Sequence, residues 1–198
     1  MTKENFEWAR AWCDKTNNGD LPRVLLFGDS ITEGYQEAVR ELLCGECYVD
    51  FVATAYFSDR DICRNILAAY LADSLYTVVH LNNGLHGKML DNDSYEEGLN
   101  KLLDACSEYK TILATSTVVY KNGEKEVDDS WTPILDKRNA ITKDAANKRN
   151  LAVDDLYAVS LGIPYEMRKA DGYHYEPAGS RILAESVARS VREALKGL

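Results

Sequence analysis

The sequence predicts an α/β fold in which helices cover both faces of a central, mostly parallel sheet of about five strands. Short apolar segments alternate along the chain with segments of helical spacing, as in parallel sheets. Polar residues suited to chemistry directly follow several of the apolar segments, where parallel strands end. The chain has 198 residues, a length that suits one domain with a three-layer core. We therefore expect residues 1–198 to form a single domain.

The predicted strands are short, apolar and bounded by polar or turn-forming residues. They are Val24–Phe27, Tyr48–Ala55, Tyr76–Leu81, Thr111–Val119 and Leu151–Val153. The predicted helices carry apolar residues three and four positions apart. They are Tyr35–Leu43, Asp61–Ala72, Ser94–Tyr109, Trp131–Asn150 and Pro177–Lys196. Ser94 and Glu97 have the spacing of a capping box, and Pro177 suits the first turn of the last helix.

Residues 1–20 are predicted to form a helical extension on the outside of the sheet. The apolar residues of this segment fit one face of an amphipathic helix. They are Phe6, Trp8, Ala9, Trp12 and Cys13. The first eight residues lack the apolar core of a signal peptide, and no apolar segment reaches the length of a membrane span. We therefore expect a cytoplasmic protein.

The charge of the chain limits the classes of partner. The formal net charge is −9, whereas binding to nucleic acid or to anionic membranes needs clustered Lys and Arg. The sequence contains neither a Gly-rich phosphate loop with its lysine nor a dinucleotide-binding Gly-x-Gly-x-x-Gly. We therefore expect no cofactor, no nucleic-acid partner and no membrane partner.

The five cysteines are scattered over the chain, as expected for reduced thiols. Cys44 and Cys47 have the Cys-x-x-Cys spacing of a redox or zinc half-site. A redox pair opens a helix, where the dipole lowers the thiol pKa, but this pair closes one. A zinc site needs two further ligands, and a second Cys-x-x-Cys is missing. We expect no metal site here.

Ser30 follows an apolar strand and precedes a helix. At such a turn the serine hydroxyl leaves the edge of the sheet, and the helix N-terminus offers free N–H groups to a developing oxyanion. The competing interpretation is that Ser30 only caps the helix.

His174 and Asp171 lie three residues apart on the loop before the last helix. A serine becomes a nucleophile when a neutral histidine takes its proton, and that histidine needs an acceptor on its other ring nitrogen. One local turn can present both side chains. The competing interpretation is an ordinary surface turn.

Together the two segments resemble the SGNH, or GDSL, family of serine hydrolases. The first block is Gly-Asp-Ser-Ile-Thr-x-Gly at 28–34, and the last is Asp-x-x-His at 171–174. The resemblance covers residues 23 to about 195. It implies a flavodoxin-like SGNH hydrolase fold, with Ser30 as nucleophile, His174 as base and Asp171 as the acid that orients it. It also implies oxyanion donors from the Ser30 amide and from two middle blocks.

Both middle blocks depart from the family pattern. The second usually has a glycine, but residues 55–60 contain none; a backbone N–H of Ser58 or Asp59 can serve, since every residue except proline has one. The third is usually Gly-x-Asn-Asp, whereas residues 81–87 read Leu-Asn-Asn-Gly-Leu-His-Gly. The chain thus resembles a branch of the family with an Asn-Asn-Gly-Leu-His block. The donor is either Asn82 or Asn83.

Three further residues are candidates for contact with substrate. His86 has no counterpart in the usual third block, and a hydrogen-bonded structural role is equally compatible with its position. Asp29 adjoins the serine. Tyr165 lies in the segment that leads to the Asp-His block.

The main hypothesis is a serine esterase that hydrolyses short acyl esters, such as acetyl groups on carbohydrates, through an acyl-enzyme. The expected partner is therefore a small ester, for example an acetylated sugar. One alternative is an acyltransferase with an alcohol or sugar acceptor. Another is a binding module for a glycan or a partner protein without turnover, which the missing second-block glycine keeps open.

Overall fold

The structure is a computed structural model that describes residues 3–196. Within this range the chain forms six strands and six α-helices. The strands are β1 (Ala9–Trp12), β2 (Arg23–Gly28), β3 (Tyr48–Thr54), β4 (Val78–Leu81), β5 (Lys110–Ala114) and β6 (Ala152–Asp154). The helices are α1 (Ser30–Leu42), α2 (Asp61–Asp73), α3 (Asn92–Ala105), α4 (Thr132–Lys148), α5 (Leu156–Leu161) and α6 (Pro177–Leu195). A 3₁₀ turn spans Tyr165–Met167.

The strands form one sheet in the order β1-β3-β2-β4-β5-β6. Strands β2 to β6 are parallel, and β1 pairs antiparallel with β3. The parallel strands thus have the doubly wound order of flavodoxin-like folds, in which the winding reverses beside β2. Ligands bind at this reversal, outside the carboxyl ends of the strands. The predicted fold class is confirmed, with one additional strand.

Two apolar layers enclose the sheet. Successive side chains of a strand point to opposite faces, so Val24 and Leu26 of β2 pack towards α1 and α6, and Leu25 and Phe27 pack towards α2 and α3. All six residues of β2 are buried because both faces are covered. No helix within residues 3–196 combines the length and the apolar character needed to cross a membrane.

The predicted N-terminal helix is wrong. Ala9–Trp12 instead form β1, which pairs with Phe51–Thr54 of β3. The aromatic residues at positions 6, 8 and 12 also fit the two-residue period of a strand. The free edge of β3 decides between the two periods, since its unpaired N–H and C=O groups gain partners when β1 docks.

Other differences concern the ends of elements. Helix α3 is capped by Asp91, whose carboxylate accepts the Ser94 amide at 2.8 Å, so the predicted capping box is wrong. Strand β5 ends at Ala114, although the chain remains buried as far as Val119. Beyond the strand the Val118 amide donates to Ser160 Oγ at 3.0 Å. Burial alone does not distinguish a strand from such a buried connection.

Candidate active site

Ser30 is the first residue of α1, and one residue, Asp29, separates it from the C-terminal end of β2. The helix is capped by Asp29, whose Oδ1 accepts the amide of Ile31 at 2.9 Å. The interpretation of Ser30 as a mere cap is therefore wrong. The turn is tight, because a Cβ on Gly28 would lie 2.1 Å from the hydroxyl of Thr32. Because Asp29 caps the helix, the hydroxyl of Ser30 is left free for another partner.

That partner is His174, which reaches Ser30 from the other end of the chain. His174 Nε2 lies 2.7 Å from Ser30 Oγ, and Nδ1 lies 2.8 Å from Asp171 Oδ2. When the ring carries its proton on Nδ1, Nδ1–H donates a hydrogen bond to Asp171, and Nε2 can accept one from the hydroxyl of Ser30. The three side chains thus have the connectivity of a Ser-His-Asp triad.

The loop that carries Asp171 and His174 is fixed by its backbone. Asp171 Oδ1 accepts the amides of Tyr173 and His174 at 2.8 and 2.9 Å. Gly172 has a φ of +83°, and a Cβ there would lie 2.0 Å from the carbonyl oxygen of Tyr120. Glycine is therefore required at this turn.

The carboxylate of Asp171 is stabilised in its charged form. Burial favours the neutral acid, but the hydrogen bonds from the His174 amide, the His174 ring and the Tyr173 amide outweigh burial and lower the pKa of Asp171. Asp171 is therefore ionised at neutral pH, as an orienting partner of an imidazole has to be.

A cleft of about 460 Å³ opens beside Ser30 and His174. Its walls come from the N-terminal segment, the start of α1, the loop of Asp171 and the start of α6. The lining residues are Trp8, Arg10, Ser30, Ile31, Glu33, Gly34, Lys169, Asp171, His174, Tyr175 and Ser180. The sequence alone does not identify Trp8 and Arg10 as lining residues, because their segment also fits the spacing of a helix. Only the two-residue period of the aromatic residues could have revealed them.

The two asparagines of the third block differ in what their amides do. Asn82 Nδ2 donates to the carbonyls of Ala114 and Thr115 at 3.1 and 3.0 Å. Asn83 Nδ2 has only distant acceptors, the Tyr56 carbonyl at 3.4 Å and Cys63 Sγ at 3.9 Å. Asn82 is thus committed to the backbone beyond β5, whereas Asn83 retains donor capacity.

The second block forms the turn between β3 and α2. Ser58 is fully buried, and its hydroxyl has no partner among residues 3–196. A Cβ on Gly98 of α3 would lie 2.6 Å from Asp59 N. The peptide bond between Ser58 and Asp59 therefore packs directly against α3, with the Asp59 nitrogen at this contact.

The predicted substrate contacts are not brought into the cleft. Asp29 is 1% exposed and acts as the cap of α1, so it is too buried to contact a ligand. Tyr165 lies in the 3₁₀ turn, where Lys125 Nζ stands 5.2 Å from its ring centroid, and Tyr175 lines the cleft instead. His86 lies behind the cleft, edge-on to Trp8 with ring centroids 6.2 Å apart.

The cysteine pair shows no features of a reactive site. Cys44 and Cys47 are both free thiols. Burial is the main cause that raises the pKa of Cys47 to about 12, whereas a redox thiol needs a lowered pKa. The pair follows the C-terminal end of α1, as the sequence predicted.

No protein-family model matches the sequence, and no curated protein matches it significantly. Solved structures do match. The C-terminal catalytic domain of peptidoglycan O-acetyltransferase A from Streptococcus pneumoniae is 18% identical, with a TM-score of 0.69 over 90% of this chain and 97% of that one. A variant of an acetyl-xylooligosaccharide esterase from Geobacillus is 19% identical, with a TM-score of 0.69 over 86% and 94%. A GDSL-like lipase from Bacteroides thetaiotaomicron is 14% identical, with a TM-score of 0.69 over 87% and 88%.

The chain has the SGNH hydrolase fold. The resemblance that the first and last blocks suggested is thus supported at the level of the fold. In this chain, Ser30 follows β2 and the third block follows β4, and these two strands are parallel neighbours. Both segments therefore lie at the reversal of the winding, where ligand sites of doubly wound sheets occur.

Proposed function

We propose that this chain is a serine esterase that hydrolyses short-chain acyl esters. The observation that carries the proposal is the hydrogen-bonded chain from Ser30 Oγ through His174 to Asp171, with distances of 2.7 and 2.8 Å. It stands at the mouth of a cleft at the carboxyl ends of the strands, so an ester can reach the serine.

The reaction follows from this geometry. His174 Nε2 takes the proton of Ser30 as the oxygen attacks the ester carbonyl, and Asp171 stabilises the imidazolium that forms. His174 then gives the proton to the leaving alcohol, and an acyl-enzyme remains. Water, deprotonated by the same imidazole, attacks the acyl group and restores Ser30.

The oxyanion needs donors that point at it before the reaction begins. The Ser30 amide lies in the first turn of α1, where N–H groups lack acceptors within the helix. The side chain of Asn83 is the second proposed donor, because its amide is only weakly engaged. From the second block we favour the amide of Ser58, since the Asp59 nitrogen lies against α3.

Acetyl groups on carbohydrates are the proposed substrates. Two proteins of the same fold are described as an acetyl-xylooligosaccharide esterase and as a peptidoglycan O-acetyltransferase. Both names describe the handling of acetyl groups on sugars. The cleft combines an indole with charged and hydroxyl side chains, a lining that suits a small polar ligand.

A series of p-nitrophenyl esters of increasing chain length tests the proposal. We expect the acetate to be the best substrate. Ser30→Ala should lower kcat by about 10⁴–10⁶, because the members of a triad act as a unit. Ser190→Ala, on the distant part of α6, is the matched control. A fluorophosphonate should label the wild type and not Ser30→Ala. Turnover that survives in Ser30→Ala would contradict Ser30 as the nucleophile. A wild type that neither hydrolyses an ester nor takes the label would contradict the esterase and favour a binding module.

Transfer of the acyl group to an alcohol is a second candidate, favoured by the structural similarity to the peptidoglycan O-acetyltransferase. The two reactions share the acyl-enzyme and differ only in the nucleophile that resolves it. Product analysis in the presence of a sugar acceptor distinguishes them. An acetylated acceptor formed faster than free acetate would identify the transferase.

A further inference from the structure

The cleft lies on the side of Ser30 that receives the alcohol part of an ester. His174 has to reach the leaving oxygen in order to protonate it, and His174 is part of the cleft lining. The candidate oxyanion donors of the second and third blocks lie outside the described lining. With the oxyanion at the donors proposed for those blocks, the acyl oxygen points away from the cleft and the leaving alcohol occupies it.

One wall of this cleft comes from the N-terminal segment, residues 4–10, which is fastened to the end of β3, to the turn after it and to the third block. The Trp8 carbonyl accepts the Ala55 amide at 3.0 Å and the Thr54 hydroxyl at 2.8 Å. Glu7 and Arg60 form an ion pair at 2.6 Å, with side chains only 14% and 7% exposed. These contacts fix the backbone on both sides of Trp8.

A second fastening holds the indole itself. Glu4 places one carboxylate oxygen 2.7 Å from His86 Nδ1 and the other 2.6 Å from the Gly87 amide. The His86 ring meets the indole of Trp8 at an interplanar angle of 84°. The ring of Trp8 is therefore held in place before a ligand arrives, which reduces the entropy that binding has to overcome.

The charges around Trp8 are balanced. Arg10 and Lys169 contribute two cations, and Glu33 and Asp171 contribute two carboxylates. Arg10 Nη1 lies 2.9 Å from each carboxylate oxygen of Glu33. A cleft with equal numbers of opposite charges attracts neither anions nor cations strongly, but offers donors and acceptors to a neutral molecule rich in hydroxyl groups.

We propose that Trp8 is a specificity-determining residue, the platform on which the sugar ring of an acetylated pyranoside lies while His174 protonates its leaving oxygen. The inference rests on the proposed esterase function. The C–H face of a pyranose is apolar and packs on an aromatic ring, whereas its hydroxyls project from the edge. Those hydroxyls meet Lys169 and the Arg10–Glu33 pair, whose guanidinium carbon lies 5.1 Å from the centroid of the Trp8 ring.

The test compares two acetate esters, a mono-O-acetylated methyl pyranoside and ethyl acetate, with the released acid titrated at constant pH. Trp8→Ala should lower kcat/KM for the sugar ester about tenfold more than for ethyl acetate, mainly through KM. Trp8→Phe keeps an aromatic face and should recover most of this loss. Trp12→Ala removes a tryptophan that is 59% exposed at the end of β1 and outside the cleft, so it should behave as wild type.

Binding without turnover separates the two proposals. Saturation-transfer NMR with Ser30→Ala should detect binding of the acetylated pyranoside. The signal should disappear in the double variant that also carries Trp8→Ala. Equal losses for both esters in Trp8→Ala, or a transfer signal that survives in the double variant, would overturn the platform. If Ser30→Ala binds through Trp8 but the wild type hydrolyses no ester, the platform stands and the esterase function is refuted.

Discussion

Ser30 and His174 are 144 positions apart along the chain, yet Ser30 Oγ and His174 Nε2 lie within hydrogen-bonding distance. Ser30 is held by the turn at Gly28 and the cap at Asp29. Burial is the main cause that raises the pKa of Asp29, although the charges of His86 and His174 oppose it. Asp29 thus caps the helix that presents Ser30, and leaves the cleft to other side chains.

Replacement of the two asparagines of the third block should have different effects. Asn83→Ala should lower kcat by about 10²–10³, the usual cost of losing one oxyanion donor, with little change in Tm. Asn82→Ala should lower Tm, because the carbonyls of Ala114 and Thr115 lose their buried donor. Steady-state kinetics on p-nitrophenyl acetate and thermal unfolding measure the two effects. Similar mild effects of both changes on kcat would show that neither side chain holds the oxyanion.

The sequence predicted Ser30, Asp171 and His174 because each lies in a short local pattern whose geometry is set by neighbouring residues. It left Asn82 and Asn83 open because their roles depend on acceptors far along the chain, such as the Thr115 carbonyl. Side-chain hydrogen bonds across such distances leave no local spacing to recognise. The structure supplies these acceptors, and the kinetics of Asn82→Ala and Asn83→Ala test which side chain holds the oxyanion.

The segment that forms β1 shows that the spacing of apolar residues does not always distinguish a helix from a strand. The segment of residues 6–12 fits both a helix and a strand, and the free edge of β3 determines which one forms. The alternation of strands and helices after residue 20 was predictable, because buried parallel strands are continuously apolar. The exact ends of β5 and α3 were not, since they depend on Ser160 and Asp91.

The Glu4–His86 pair gives the N-terminal segment a dependence on pH. Burial lowers the pKa of His86, but the hydrogen bond to Glu4 and the charges of Asp29 and Glu4 raise it above 6.5 overall. Burial raises the pKa of Glu4, but the hydrogen bonds from His86 and the Gly87 amide bring it below 4.5.

The stabilisation by His86 is complete below its unfolded pKa and is lost as pH rises through its folded pKa. That by Glu4 is complete above its unfolded pKa and is lost as pH falls through its folded pKa. The pair is therefore strongest between about pH 4.5 and 6.5.

Amide hydrogen exchange of β1 should show this window. Glu4→Gln is expected to reduce the protection factors of residues 9–12 most near pH 5.5, because the charged pair is then lost. The difference from wild type should shrink as pH rises through the folded pKa of His86. Glu124→Gln, on an exposed loop, is the matched control. A difference that stays constant from pH 5 to pH 9 would show that the ion pair does not fasten the segment.

At the scale of the whole molecule, the sheet order determines where the site lies. Strands β2 and β4 are neighbours, so the serine segment and the third block emerge side by side from the same edge. This part of the site was predictable from the alternation of elements alone. The wall formed by Trp8 was not predictable, because it depends on the pairing of β1 with β3 at the edge of the sheet.

The two sides of the cleft have unequal anchorage. All four residues of β1 are exposed, and the strand pairs only with β3. Ser30, in contrast, follows β2, which lies inside the sheet between β3 and β4. Local unfolding begins in segments with few buried contacts, so moderate urea should release β1 while the parallel strands persist. The protein should then become less selective before it becomes inactive. The ratio of sugar-ester to ethyl-acetate hydrolysis should fall at a lower urea concentration than the far-UV circular dichroism signal. A simultaneous decline of both would mean that the cleft and the core melt as one cooperative unit.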